Sequence, residues 1–156
     1  MALATNSAVE YFGTQSTVTA SGGTSSVVSG DFSATADLET GGWTNAENSP
    51  MASVVLTGVL AGLPASAGKS INLFARLMDI DGTSDQEIPS SDFKHVYLGY
   101  FPIGTTTTIS PTPIDVRLPN NYSGQIYEFY LENTAGVTLN AGWTLKVQPK
   151  TIGPKA

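Results

Sequence analysis

Glycine, proline, asparagine and serine punctuate this chain into about seven short segments of apolar or alternating residues, and that punctuation limits the fold most. No stretch reads as a helix longer than a turn or two. Residues 52–63 place three valines, a threonine and two glycines where a helix favours better formers. Strands so short and so regularly interrupted predict an all-β fold: an antiparallel β-sandwich or jelly-roll-like body with an extended N-terminal arm. At 156 residues the chain is long enough for one domain with a real core and short for two.

The segment Ser70–Gly82 reads as the central strand. Ile71, Leu73, Ala75 and Leu77 fall on one side, with Asn72, Phe74, Arg76 and Met78 on the other. Apolar residues on both faces predict cover on at least part of both sides. Val27–Ala34 is expected to form a short strand, and Trp43 in the polar loop that follows is a packing anchor, with carbohydrate stacking as the lesser alternative. Ala52–Leu60 is β-branched, and Gly58 within it marks a bulge or a close approach. Lys94–Ile103 is another apolar strand. Pro111 and Pro113 restrict the next segment to an edge or an irregular crossing, and Asn120–Gly124 is a turn. In Gln125–Glu132, Tyr127, Phe129 and Leu131 should face the core, with Ile126, Glu128, Tyr130 and Glu132 opposite. In Trp143–Gln148, Trp143, Leu145 and Val147 point inward and Thr144, Lys146 and Gln148 outward. The expected division is an arm over residues 1–24, a sandwich over 25–150 and a coiled tail over 151–156.

The arm is rich in Ala, Ser, Thr and Gly, with Val9, Tyr11, Phe12 and Val18 as sparse apolar points. Such a segment buries too little apolar area to offset its own ordering entropy. It is expected to be mobile alone and ordered when laid on a neighbour, which makes those four residues the partner-binding candidates.

Charged residues make up only 13% of the chain, so Ser, Thr, Asn and Gly must supply much of its surface. That surface loses water more cheaply than a Lys/Glu surface and suits wide protein contacts. A net charge of −6 argues against nucleic-acid binding, which requires a basic face. Residues 1–68 hold five carboxylates and no Lys or Arg, whereas all seven basic residues lie from Lys69 onward. The acidic front and basic end could pair within a subunit or between subunits, or be no more than scattered solvated charge. The absence of cysteine excludes disulfides and thiolate metal sites. The N-terminus lacks the basic and apolar regions of a signal peptide, and no apolar run reaches the ~20 residues of a membrane helix. A soluble product with no membrane partner is expected.

Asp79, Asp81, Asp85, Glu87 and Asp92 form the densest group of carboxylates. Asp79, Asp81 and Asp85 are weak calcium candidates: the D-x-D-G order places its glycine too early for an EF-hand, and no helices flank it. Turn chemistry explains the composition better, since aspartate side chains bond local backbone. His95 stands alone, without a G-x-S-x-G elbow or a second histidine, and reads as structural. Glu128 and Asp115 could be picked as a glycosidase pair, but nothing singles them out. Arg76 and Glu128 could pair across the sheet. Tyr97, Tyr100, Tyr122, Tyr127, Tyr130, Trp43 and Trp143 could supply a sugar platform, although most sit where a sandwich needs core. No catalytic residue and no cofactor is assigned.

Three passages carry a resemblance. Trp43–Thr57, Phe74–Asp85 with His95–Phe101, and Glu128–Pro149 together resemble small virion proteins of tailed bacteriophages, over roughly residues 43–149. The likeness is to capsid accessory proteins, the decoration or cement proteins, or to related head or tail surface components. It rests on strand and turn positions, so it carries no catalytic residues. It implies a non-enzymatic protein made in a host cytoplasm and placed on the outer capsid surface. Its partners would be the major capsid protein and further copies of itself, as a homo-oligomer such as a dimer or trimer. The alternative is a carbohydrate- or receptor-binding module of a tail or head fibre, which exposed aromatics near Trp43 and Asn120–Gly124 would favour.

Overall fold

The computed structural model describes residues 8–65, 68–94, 96–120 and 124–154. Among these, the strands are β1 (Ala8–Phe12), β2 (Ser16–Thr17), β3 (Trp43–Thr44), β4 (Met51–Thr57), β5 (Lys69–Met78), β6 (Tyr97–Ile103), β7 (Ile114–Arg117), β8 (Ile126–Asn133) and β9 (Thr144–Pro154). A single 3-10 turn covers Thr35–Asp37. The protein is all-β: two antiparallel sheets form a sandwich. The first sheet runs β1-β9-β4-β7, with β2 also on β9, and the second runs β3-β8-β5-β6. The strand pairs are nested, β1 with β9, β3 with β8, β4 with β7 and β5 with β6.

β5 sits inside the second sheet, bonded to β8 and β6, as its two-sided apolar pattern requires. Ile71, Leu73, Ala75 and Leu77 all face the buried space between the sheets. There they meet Ala52, Val54 and Leu56 of β4, Tyr127, Phe129 and Leu131 of β8, and Trp143, Leu145 and Val147 from β9 and its approach. Gly58 marks a close approach: a Cβ there would lie 3.0 Å from both Leu139 Cδ1 and Trp143 Cβ. β7 is an edge strand, consistent with the two prolines before it.

Four expectations are corrected. Val27–Ala34 forms no strand, only isolated bridges from Val27 to Leu139 and from Phe32 to Glu132. Gly30, at φ +95°, breaks the extended run. The buried Asp37 carboxylate then gathers the segment, accepting from Ser25 N at 2.6 Å and Ala34 N at 3.1 Å. This segment covers the outer face of the second sheet, so Tyr130, Glu128 and Glu132 are buried although the strand pattern places them outside.

Residues 151–154 are not coil, because β9 continues to Pro154 and pairs there with β1. Finally, the described part of the arm, residues 8–24, lies on its own chain, with β1 and β2 both paired to β9. Val18 belongs to the core, 3% exposed, with its N–H bonded to Leu145 O at 2.9 Å. That removes Val18 as a partner-binding candidate.

Candidate functional site

Three of the sequence-predicted partner residues, Val9, Tyr11 and Phe12, lie together on β1 at one end of the first sheet. β1 and β2 both run antiparallel to β9, with one extra residue between them: Phe12 faces Lys150 and Ser16 faces Val147. β4 begins at Met51, opposite Lys150, so residues 151–154 have only β1 as a strand partner among the described residues. The result is a two-stranded ribbon, 8–11 against 151–154, extending past the body of the sheet. Two strands without a third are marginally stable on their own. Tyr11, Phe12 and Ile152 are exposed along it, whereas Val9 is half-buried. Among the described residues, the outer edge of β1 is the edge of the sheet.

Lys150 fixes the base of this ribbon. Its Nζ lies 2.5 Å from Asp115 Oδ2 and 3.0 Å from Glu10 Oε1, with the ammonium 5.6 Å from the centre of the Phe12 ring. Its side chain is 7% exposed, while those of its two carboxylate partners are about half exposed. Hydrogen bonds to Asp115 and Glu10 hold the ammonium pKa above its ordinary value, and the Lys150 and Ser53 hydrogen bonds hold the Asp115 carboxyl below its own. One carboxylate of the acidic front, Glu10, thus pairs with one lysine of the basic end within the same chain. Sequence reasoning did not single out Lys150, because a lysine beside a presumed tail resembles any solvated lysine.

The calcium candidates do not gather around a common centre. Asp81 caps its own turn, its Oδ1 accepting from Thr83 N at 3.0 Å and Ser84 N at 2.7 Å, and these backbone bonds lower its pKa. Asp85 Oδ1 accepts from Asp79 N at 3.0 Å, and its Oδ2 lies 3.5 Å from Arg76 Nη2. Among the described residues no group of three or more His, Asp or Glu is placed to hold a metal.

Arg76 and Glu128 do pair across the sheet, opposite one another in register, with Nη1 3.0 Å from Oε2. Burial alone would lower the Arg76 pKa, but the hydrogen bond and charge of Glu128 outweigh it and the net shift is upward. Arg76 Nε also donates to Gln86 O at 2.6 Å, which ties the acidic loop to the sheet. Tyr130 donates its hydroxyl to the same Glu128 oxygen at 2.9 Å.

Glu128 and Asp115, the two carboxylates considered as a glycosidase pair, lie on different sheets. Glu128 sits in the second sheet against Arg76 and Tyr130, while Asp115 sits in the first sheet with Ser53 and Lys150. Trp43 is buried between Tyr127 and Phe129, with both ring centroids at 5.9 Å, so it is a packing anchor and no sugar platform. Tyr97 and Tyr100, by contrast, are exposed on β6. His95 and Tyr122 lie outside the described residues. The chain matches no protein-family model, no curated protein and no solved structure.

Proposed function

We propose that this chain is a non-enzymatic structural protein of a bacteriophage virion, a decoration or cement protein on the outside of the head. Its partners are the major capsid protein and further copies of itself. The observation that carries this reading is the ribbon: an exposed two-stranded extension whose β1 edge can accept a further strand, flanked by Tyr11, Phe12 and Ile152. Strand addition satisfies main-chain groups in register, and the flanking apolar side chains contribute burial. Many weak contacts of this kind, repeated around symmetry axes, hold a shell through their number.

Three further features support it. The nested strand pairs are compatible with a jelly roll, an architecture that recurs in viral capsid and lectin domains. Fold alone does not assign function, so this is support by analogy. The surface is poor in charge, and residues 43–149 resemble phage accessory proteins in sequence.

Quantitative mass spectrometry of purified particles tests the reading. A stoichiometry on the scale of the shell's own subunits is expected, falling sharply when residues 1–12 are removed. Absence from particles, or a handful of copies unaffected by the truncation, overturns it.

A further inference from the structure

The edge of the second sheet far from the buried Trp43 carries a different surface. β6 pairs with β5 so that Tyr100 faces Asn72 and Pro102 faces Ser70, and the register then shifts between Leu73 and Phe74. The shift makes Tyr97 the partner of Phe74, with Leu98 as the extra residue. Two tyrosines three positions apart, which a regular strand would send to opposite faces, therefore share one face with Asn72. Tyr97 is 51% exposed and Tyr100 55%. The Tyr97 ring meets Phe74 edge-on at 5.5 Å, which holds it upright at the sheet surface.

These residues line a hollow of about 430 Å³, together with Lys69, Ser70 and Pro102. Its polar groups are held in place. Asn72 Nδ2 donates to Glu132 Oε2 at 2.9 Å, and Ser70 donates to Asn72 Oδ1 at 3.2 Å. Glu132 is itself buried and paired with Lys94. The amide is thus oriented by a charged side chain beneath it, and its second N–H has no partner among the described residues. The hydroxyls of Tyr97 and Tyr100 likewise have none among the described residues.

We propose that this hollow is a saccharide-binding site, taking a neutral pyranose stacked on Tyr100 or Tyr97 and bonded through its hydroxyls to Asn72 and Ser70. A pyranose presents an apolar C–H face beside a rim of hydroxyls. Exposed tyrosine rings beside an oriented amide match both parts. A phosphate or sulfate ligand fits less well: among the described residues Lys69 is the sole cation in the lining, and the chain carries net charge −6. A wholly apolar ligand would leave the Asn72 and Ser70 groups without compensation for lost water. The site is independent of the ribbon, on another sheet, so it stands or falls apart from the capsid reading.

The test uses the full chain on an array of neutral hexose and N-acetylhexosamine oligosaccharides, followed by NMR titration with the glycans that bind. Saturable binding is expected, weakened about tenfold or more by Tyr100→Ala or Tyr97→Ala and retained by Tyr100→Phe, which keeps the ring. Tyr11→Ala, on the ribbon, should leave it unchanged, and melting curves establish that each variant folds. No glycan bound above background overturns the proposal, as does binding indifferent to both tyrosines. If Tyr100→Ala lowers attachment to particles while no glycan binds, the hollow is a protein contact and the saccharide assignment falls.

Discussion

Lys150 and Asp115 are joined although their strands are not neighbours: Nζ on β9 reaches past β4 to Oδ2 on β7, at 2.5 Å. The same ammonium holds Glu10 on β1 at 3.0 Å, so one side chain ties together three strands of the first sheet. It therefore governs how firmly the exposed ribbon is attached to the body.

The pH dependence of that attachment follows from the two shifts. A depressed acid stabilises the fold above its unfolded pKa, and the contribution is lost as pH falls through the folded one. A raised base stabilises below its unfolded pKa, and loses the contribution as pH climbs through the folded one. With Lys150 raised, its bond to Glu10 should hold β1 through neutral pH and loosen as pH climbs past the ordinary lysine range, while the lowered Asp115 should keep its own hold on Lys150 until strongly acid pH. Amide exchange in β1, corrected for its intrinsic rates, should show that alkaline loss. Lys150→Met should flatten it while protection in β4 and β8 persists. A variant with an unchanged β1 profile would show that the lysine does not hold the strand.

Tyr130 gives a second, alkaline signature. Burial first, and then the Glu128 charge, push its hydroxyl up to about 12. The unfolded chain then releases this proton at lower pH than the folded one, so stability falls as pH rises from about 10 towards 12. The melting temperature of the native chain should drop more steeply over that range than that of Tyr130→Phe. At neutral pH the variant should be less stable by about 1–3 kcal/mol, because the buried Glu128 loses a donor. Parallel alkaline curves would contradict the assignment.

Removing Arg76 should be the costlier change at that cluster. Arg76→Met takes the cation from a Glu128 side chain only 7% exposed and the donor from Gln86 O. Breaking a buried pair from one side costs about 3–5 kcal/mol. Urea unfolding should show a loss of that order, with part recovered when Glu128→Met is added. A loss near zero would mean that water replaces the guanidinium.

Truncation separates ribbon from body. Residues 13–156 should fold, since β1 is peripheral, whereas 25–156 should not. The longer deletion removes Val18 from the core and the Thr24 hydroxyl bonded to Trp143 O at 2.9 Å. Val18→Ala alone should cost about 1–3 kcal/mol in denaturant. A cooperative melt from 25–156 close to that of the full chain would restore residues 1–24 as a dispensable arm.

Much of this was legible in the residues. Alternation in β5, β8 and β9 assigned the inner faces, because side-chain direction along a strand is a local property of period two. Arg76 and Glu128 stood out as opposite charges inside strands. Tyr130 and Glu132 did not show as buried, because the cover over them comes from residues 29–38, far away in sequence. Tyr97 and Tyr100 share a face only through a register shift, which no spacing rule anticipates.

By itself, the sequence determined the β class, the short strand lengths and which residues meet between the sheets, since propensity and periodicity act within a few residues of one another. Tertiary structure alone decided which edges stay open, which charges are buried, and that Ala8 faces Pro154 across the ribbon. Those outcomes depend on which distant strand arrives alongside, and a chain's local pattern of side chains does not encode its partner.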